Sequence, residues 1–143
     1  KTKPLEIHDI ANSQQRYTLA NPRLAPYGFA AEALMRQAGL WKSTDSKRIM
    51  AQNIAGAFQY IASGVVQFGW VAMAQLKVWE RQHELPSASY WLPDIKTYPA
   101  IEQVAVQLTK SRQPEMAKLF LDFLSASEAQ ILIKSYGYLT PKQ

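Results

Sequence analysis

The chain has 143 residues, 48% of them apolar and 19% charged, which suits one folded domain, or part of a two-lobed protein, with a buried core. The net charge of +5 favours anionic ligands, but Lys42, Lys47, Arg48, Lys77, Lys110, Arg112 and Lys134 are scattered and form no basic stripe, so no nucleic-acid partner is expected. The absence of cysteine excludes disulfides, thiol catalysis and cysteine-ligated metals, and the longest apolar run, Val65 to Ala74, falls short of the roughly 20 residues that span a bilayer.

Lys1-Thr2-Lys3-Pro4 opens into polar sequence without the apolar core of a secretory signal, so no signal peptide is expected within the chain. Tyr17-Thr18-Leu19-Ala20 is a β-prone run closed by Asn21-Pro22. From Pro26, the apolar residues Phe29, Ala30, Ala33, Leu34 and Ala38 follow helical spacing, with proline in the first turn and Gly39 as the stop. The unit then repeats. Arg48 to Ala51 reads as a strand, Asn53 as an N-cap, and Ile54, Ala57, Phe58, Ile61 and Ala62 as one helical face ending at Gly64. A third strand is expected from Val65 to Met73. Strands separated by helices imply an α/β fold with a parallel sheet covered on both faces.

Beyond Ala74 the pattern loosens, and Pro86, Pro93 and Pro99 punctuate a connecting stretch. Gln103 to Leu108 alternates as a strand, with Val104, Val106 and Leu108 on one face. Two helices follow. Pro114 opens the first, whose apolar face is Ala117, Leu119, Phe120, Phe123 and Leu124; Ser127-Glu128-Ala129-Gln130 reads as a capping box opening the second, which Gly137 ends. One strand and two helices cannot make a sheet alone, so the 103–108 strand is expected to join the first sheet or to complete a lobe outside this chain.

In open α/β sheets, ligands sit beyond the carboxyl ends of the strands. Two strand-to-helix turns, Ala25-Pro26-Tyr27-Gly28 and Asn53-Ile54-Ala55-Gly56, combine small residues with the unpaired N–H groups and favourable dipole of a helix start. Either set of residues also serves ordinary helix capping; together they form a candidate oxyanion site. No catalytic or metal-ligating residue is expected. The only histidines, His8 and His83, have no metal-site spacing, and no nucleophile elbow, P-loop or dinucleotide fingerprint occurs. The four tryptophans, Trp41, Trp70, Trp79 and Trp91, read as core or lobe-junction residues.

Ala20-Asn21-Pro22-Arg23-Leu24-Ala25-Pro26-Tyr27-Gly28, then Ala31-Glu32-Ala33-Leu34 and Gly39-Leu40-Trp41, resemble the periplasmic molybdate-binding proteins of ABC uptake systems. Gln52-Asn53-Ile54-Ala55, Ala62-Ser63-Gly64, Gly69-Trp70-Val71-Ala72, Trp91-Leu92-Pro93, Tyr98-Pro99-Ala100-Ile101 and Ser135-Tyr136-Gly137-Tyr138 follow in the family's order. The resemblance implies a type 2 periplasmic binding fold, in which two lobes close on a tetrahedral oxyanion. It also implies a periplasmic location, molybdate or tungstate as ligand, no cofactor, a membrane permease of the ABC type as partner, and no enzymatic activity. Carried over, the ligand contacts are Tyr27, through its N–H and its ring, and Ile54, through its N–H, with Pro26, Gly28, Asn53 and Ala55 supporting the turns. Some members add a tyrosine hydroxyl at the end of the third strand, where this chain has Ala72.

The resemblance further implies a lead-in over 1–16, a second lobe over 17–85, an inter-lobe connection over 86–102, and a strand and two helices over 103–143 belonging to a first lobe that is otherwise absent. Apolar faces on those last elements would then be exposed, favouring self-association or strand exchange. The alternative from another functional class is the effector-sensing domain of a transcription regulator with the same fold.

Overall fold

A computed structural model describes residues 6–83 and 89–140 of the chain. Lys1 to Pro4 and Pro86, named above, lie outside the described residues. The elements in order are α1 (Ile7–Asn12), β1 (Tyr17–Ala20), α2 (Pro26–Gln37), α3 (Leu40–Ser43), β2 (Arg48–Ala51), α4 (Ile54–Ala62), β3 (Phe68–Gly69), α5 (Met73–Glu80), α6 (Pro114–Leu124) and α7 (Ser127–Ser135). Single 3-10 turns lie at Asp45–Lys47 and Ile95–Thr97.

β1 is the central strand of a parallel sheet ordered β2-β1-β3, with Tyr17 opposite Arg48 and Phe68, and Ala20 opposite Ala51. All four residues of β1 are buried, as expected of a strand covered on both faces. On one side, Tyr17 and Leu19 meet Ile10, Ala31, Met35 and Leu40, with Trp41, Phe68 and Trp70 packed around them. A buried polar chain threads this core. The Arg48 Nε donates to the Tyr17 hydroxyl at 2.9 Å, that hydroxyl bonds Thr44 Oγ1 at 2.9 Å, and Thr44 Oγ1 donates to the Leu40 carbonyl at 2.7 Å. Each polar atom is thereby satisfied without water. Arg48 also lies over the Trp41 ring, 3.5 Å from its centroid. Lys47 donates to the carbonyls of Ala11 and Ser13 at 3.0 and 2.6 Å, tying the end of α1 to the sheet-bearing unit.

The helix stops lie where the sequence places them: Gly39, Gly64 and Gly137 have φ of 71°, 73° and 85°, a conformation that a side chain disfavours. Four features differ from expectation. First, β3 is confined to Phe68–Gly69, and Met73 begins a helix instead of ending a strand. Gly69 runs so close to β1 that a Cβ there would lie 2.7 Å from Thr18 Cγ2 and closer still to Ile61. Second, the stretch from Leu76, which the sequence leaves irregular, is helical as far as Glu80.

Third, 103–108 forms no strand. Its alternation is real, but a strand needs a neighbour to take up its N–H and C=O groups, and among the described residues no strand pairs with it; Val104 is 86% exposed. Fourth, the α7 N-cap is Ala126, not Ser127, and the Gln130 side chain donates to the Leu124 carbonyl at 2.6 Å instead of closing a capping box. Gln130 thus closes the α6–α7 turn.

Helices α6 and α7 pack together but leave Leu119, Phe120, Phe123, Ile131 and Leu132 largely in solvent. The segment after α7 returns to the sheet-bearing unit. Arg81 donates to the Tyr136 hydroxyl at 3.0 Å, and Gly137 sits on Met73, where a Cβ would come within 3.2 Å of Met73 Cβ. Trp70 meets Trp91 edge-on with centroids 6.0 Å apart, and His83 stacks on Trp79 at 3.7 Å. Among the described residues no cluster of histidine, aspartate or glutamate forms a metal site, and no helix is long and apolar enough to cross a membrane.

Candidate oxyanion site

The two turns singled out in the sequence leave adjacent strands at the same end of the sheet. β1 and β2 are parallel and in register to their last residues, and the Asn21 N–H donates to the Ala51 carbonyl at 2.7 Å, carrying the ladder one step past both strands. The helices α2 and α4 therefore both start at this end of the sheet.

In the first turn, Asn21 organises the chain. Its carbonyl accepts from Leu24 and Ala25 at 3.0 Å each, and its Oδ1 accepts from the Arg23 N–H at 3.0 Å, an Asx turn. Pro26 then occupies the first helical position, where the missing N–H costs nothing. The next two amides, Tyr27 and Gly28, precede the first intrahelical bond and have no hydrogen-bond partner among the described residues. Gly28 is buried against the end of β1: a Cβ there would lie 2.7 Å from the Ala20 carbonyl carbon, 2.9 Å from that of Asn21, and closer to the Ala20 oxygen. Glycine lets α2 begin directly on the strand it follows.

The second turn is built by Asn53. Its side chain accepts from the Gly56 N–H at 2.9 Å and its carbonyl from Ala57 at 3.1 Å, while the amides of Ile54 and Ala55 remain unpaired within the described residues. Two pairs of free amides, Tyr27/Gly28 and Ile54/Ala55, thus crown neighbouring strands, each with the positive end of a helix dipole behind it.

Two side chains that the sequence reading did not assign to the site adjoin these turns. Gln75, in the first turn of α5, accepts from the Ala72 N–H at 3.1 Å through Oε1 and donates to the Ile54 carbonyl at 3.2 Å through Nε2. Ala72 is a buried N-cap whose amide Gln75 occupies. The second is Tyr138, whose phenol neighbours that of Tyr27. Partial burial, with Tyr138 adding to it, pushes the Tyr27 hydroxyl up from 10.0 to about 12, so it is neutral at physiological pH and repels no anion. A Gln three residues after a helix N-cap is half of a capping box, and the pattern was hidden because its partner is Ala72 rather than Ser or Thr. Tyr138 carries no such local signal.

This geometry suits an anion held by backbone donors, and the described residues show no nucleophile and base set up for chemistry. Residues 1–139 match the family model of the bacterial extracellular solute-binding proteins. The chain belongs to that family. The members with which it aligns are solute-binding proteins, not enzymes. This solute-binding chain is 35% identical over 127 residues to the molybdate-binding protein ModA of Azotobacter vinelandii, covering 89% of itself and 49% of that protein. It is 32% identical over 126 residues to ModA of Rhodobacter capsulatus, covering 88% and 48%. It spans about half the length of the curated relatives it matches.

Among solved structures, the periplasmic molybdate-binding protein of Azotobacter vinelandii superposes with a TM-score of 0.78 at 26% identity, over 93% of this chain and 58% of that one. A substrate-binding domain from Clostridium difficile gives 0.64 at 16% identity over 96% and 58%, a likeness of fold alone. The α/β class and the periplasmic-binding-protein architecture expected from the sequence agree with these neighbours.

Proposed function

We propose that this chain is a substrate-binding component, or a portion of one, of an ABC-type uptake system for molybdate or tungstate, acting in the periplasm and delivering its ligand to a membrane permease. The observation that carries the reading is the pair of helix starts, at one end of two neighbouring strands, whose amides are unpaired among the described residues: Tyr27 and Ile54 contact the oxyanion through their N–H groups, and Pro26, Gly28, Asn53 and Ala55 hold the two turns. Neutral backbone donors suit a fully ionised tetrahedral anion, because they offer hydrogen bonds to its oxygens without a buried counter-charge. The molybdate-binding relatives supply the choice of anion.

In this reading, 1–16 is a lead-in, 17–85 the second lobe, 86–102 the inter-lobe connection, and 103–143 part of the first lobe. The exposed apolar faces of α6 and α7 then favour self-association in the isolated chain. The test is isothermal titration of the full chain with molybdate and tungstate, with sulfate and phosphate as controls. Binding of the two larger anions in preference to sulfate is expected; no heat with any anion, or tighter binding of phosphate, overturns the assignment.

A further inference from the structure

We infer that Gln75 is a positioning residue of the oxyanion site: through the Ile54 carbonyl it orients and polarises the Ala55 N–H, making that amide a ligand donor. The inference rests on the proposed oxyanion reading and adds a donor and a support to it.

The argument begins with the peptide unit. The Ile54 carbonyl and the Ala55 N–H belong to one planar trans peptide and point in opposite directions, so fixing the oxygen fixes where the hydrogen points. Gln75 Nε2 donates to that oxygen at 3.2 Å, and the same side chain is held at its other end by the Ala72 N–H, 3.1 Å from Oε1. Both bonds require one orientation of the amide group, since Ala72 N is a donor and the Ile54 oxygen an acceptor. The bridge runs from the first turn of α5, which follows β3, to the first turn of α4, which follows β2. These strands lie on opposite sides of β1.

Electronic and steric consequences point the same way. A hydrogen bond received by a peptide oxygen draws charge through the unit and strengthens its N–H as a donor. Among the described residues the Ala55 N–H has no other partner, whereas its neighbour Gly56 is already used by Asn53. Gln75 is partly buried, and among the described residues no other side-chain hydrogen bond joins α5 to α4. The first turn, by contrast, has its backbone held by Asn21.

Two variants of the full chain separate positioning from helix capping. Gln75→Met removes both bonds; Gln75→Glu keeps an acceptor for the Ala72 N–H but loses the donor to Ile54. The backbone amide resonances of Ala55, with Tyr27 and Gly28 as internal controls, are followed by NMR, and molybdate affinity is measured by calorimetry. Both variants are expected to shift the Ala55 amide upfield while leaving Tyr27 and Gly28 in place, and Gln75→Met to weaken molybdate binding about tenfold, or about 1.4 kcal/mol.

If Gln75→Glu leaves the Ala55 resonance at its wild-type position, Gln75 only caps α5 and the inference is overturned. Unchanged molybdate affinity in Gln75→Met overturns the role of Ala55 as a ligand donor. A wild-type chain that binds no molybdate sinks the oxyanion reading, and with it the ligand role, while the Ala55 resonance still decides whether Gln75 orients that peptide.

Discussion

The phenol of Tyr27 neighbours that of Tyr138, bringing the first turn of α2 to the segment that follows α7. Burial is the larger cause of the raised Tyr27 pKa and the Tyr138 contact the smaller. Removing the contact with Tyr138→Phe should therefore lower the Tyr27 midpoint from about 12 but leave it above 10.0, as read by ultraviolet titration against a Tyr27→Phe background. Because the folded-state value is raised, neutral Tyr27 contributes stability that is complete below pH 10.0 and is lost as pH climbs through about 12. A Tyr138→Phe chain whose Tyr27 titrates as in the wild type would show that the contact is absent in solution.

Gly28→Ala should be among the most damaging single-methyl changes in the protein. The new Cβ meets backbone atoms of Ala20 and Asn21, which cannot rotate aside. Overpacking costs typically about 1–3 kcal/mol, and a loss at the upper end of that range is expected in the urea midpoint, with molybdate affinity falling alongside. A midpoint within experimental error of wild type would mean that α2 does not start against β1 as described.

Tyr17→Phe removes the middle of the Arg48–Tyr17–Thr44 chain, leaving the buried Arg48 Nε without its partner and Thr44 Oγ1 with only its bond to Leu40. The expected destabilisation is about 1–3 kcal/mol by chemical denaturation. Thr44→Val, which breaks the same chain at its next link, should be strongly non-additive with it; additive losses would show that the two hydroxyls are energetically independent.

Asn53→Ala should act locally. Losing the cap is expected to cost about 1 kcal/mol and to speed hydrogen exchange at Gly56 and Ala57, with β1 amides unaffected. Uniform acceleration across the chain would contradict a role confined to α4.

The exposed face of α6 gives a prediction about association. Light scattering should find a mass above the 16.2 kDa of one chain at high concentration, and Phe120→Asp with Phe123→Asp should return it to that value. A wild-type chain that stays monomeric throughout removes the self-association proposal.

Much of the sheet-bearing unit was legible because its signals are local. Pro26 and Asn53 mark helix starts, Gly39 and Gly64 mark stops, and the intervening apolar spacing is helical, so β1, α2, β2 and α4 were recoverable from short windows. The same windows misread Val65 to Met73, where an apolar run broken only by Gln67 and Gly69 hides the change from strand to helix at Ala72. They misread 103–108 for the opposite reason: alternation describes a surface able to pair, and pairing depends on a neighbour. The two turns of the candidate site were visible as capping chemistry. Gln75 and Tyr138 were not, since each reaches across the fold to a residue in another element and leaves no periodic trace.

The bond from the Asn21 N–H to the Ala51 carbonyl ties together the two strand ends from which the amide-bearing turns leave. Neighbouring strands lie about 4.8 Å apart, a spacing set by the peptide group and insensitive to side-chain identity. The strand ends beneath the two turns are thus a fixed gauge. Evolution toward a larger or smaller anion could exchange the side chains at either turn and leave the separation of those strand ends unchanged, so tuning for size would have to come from the turns themselves or from whatever surface faces them across the ligand.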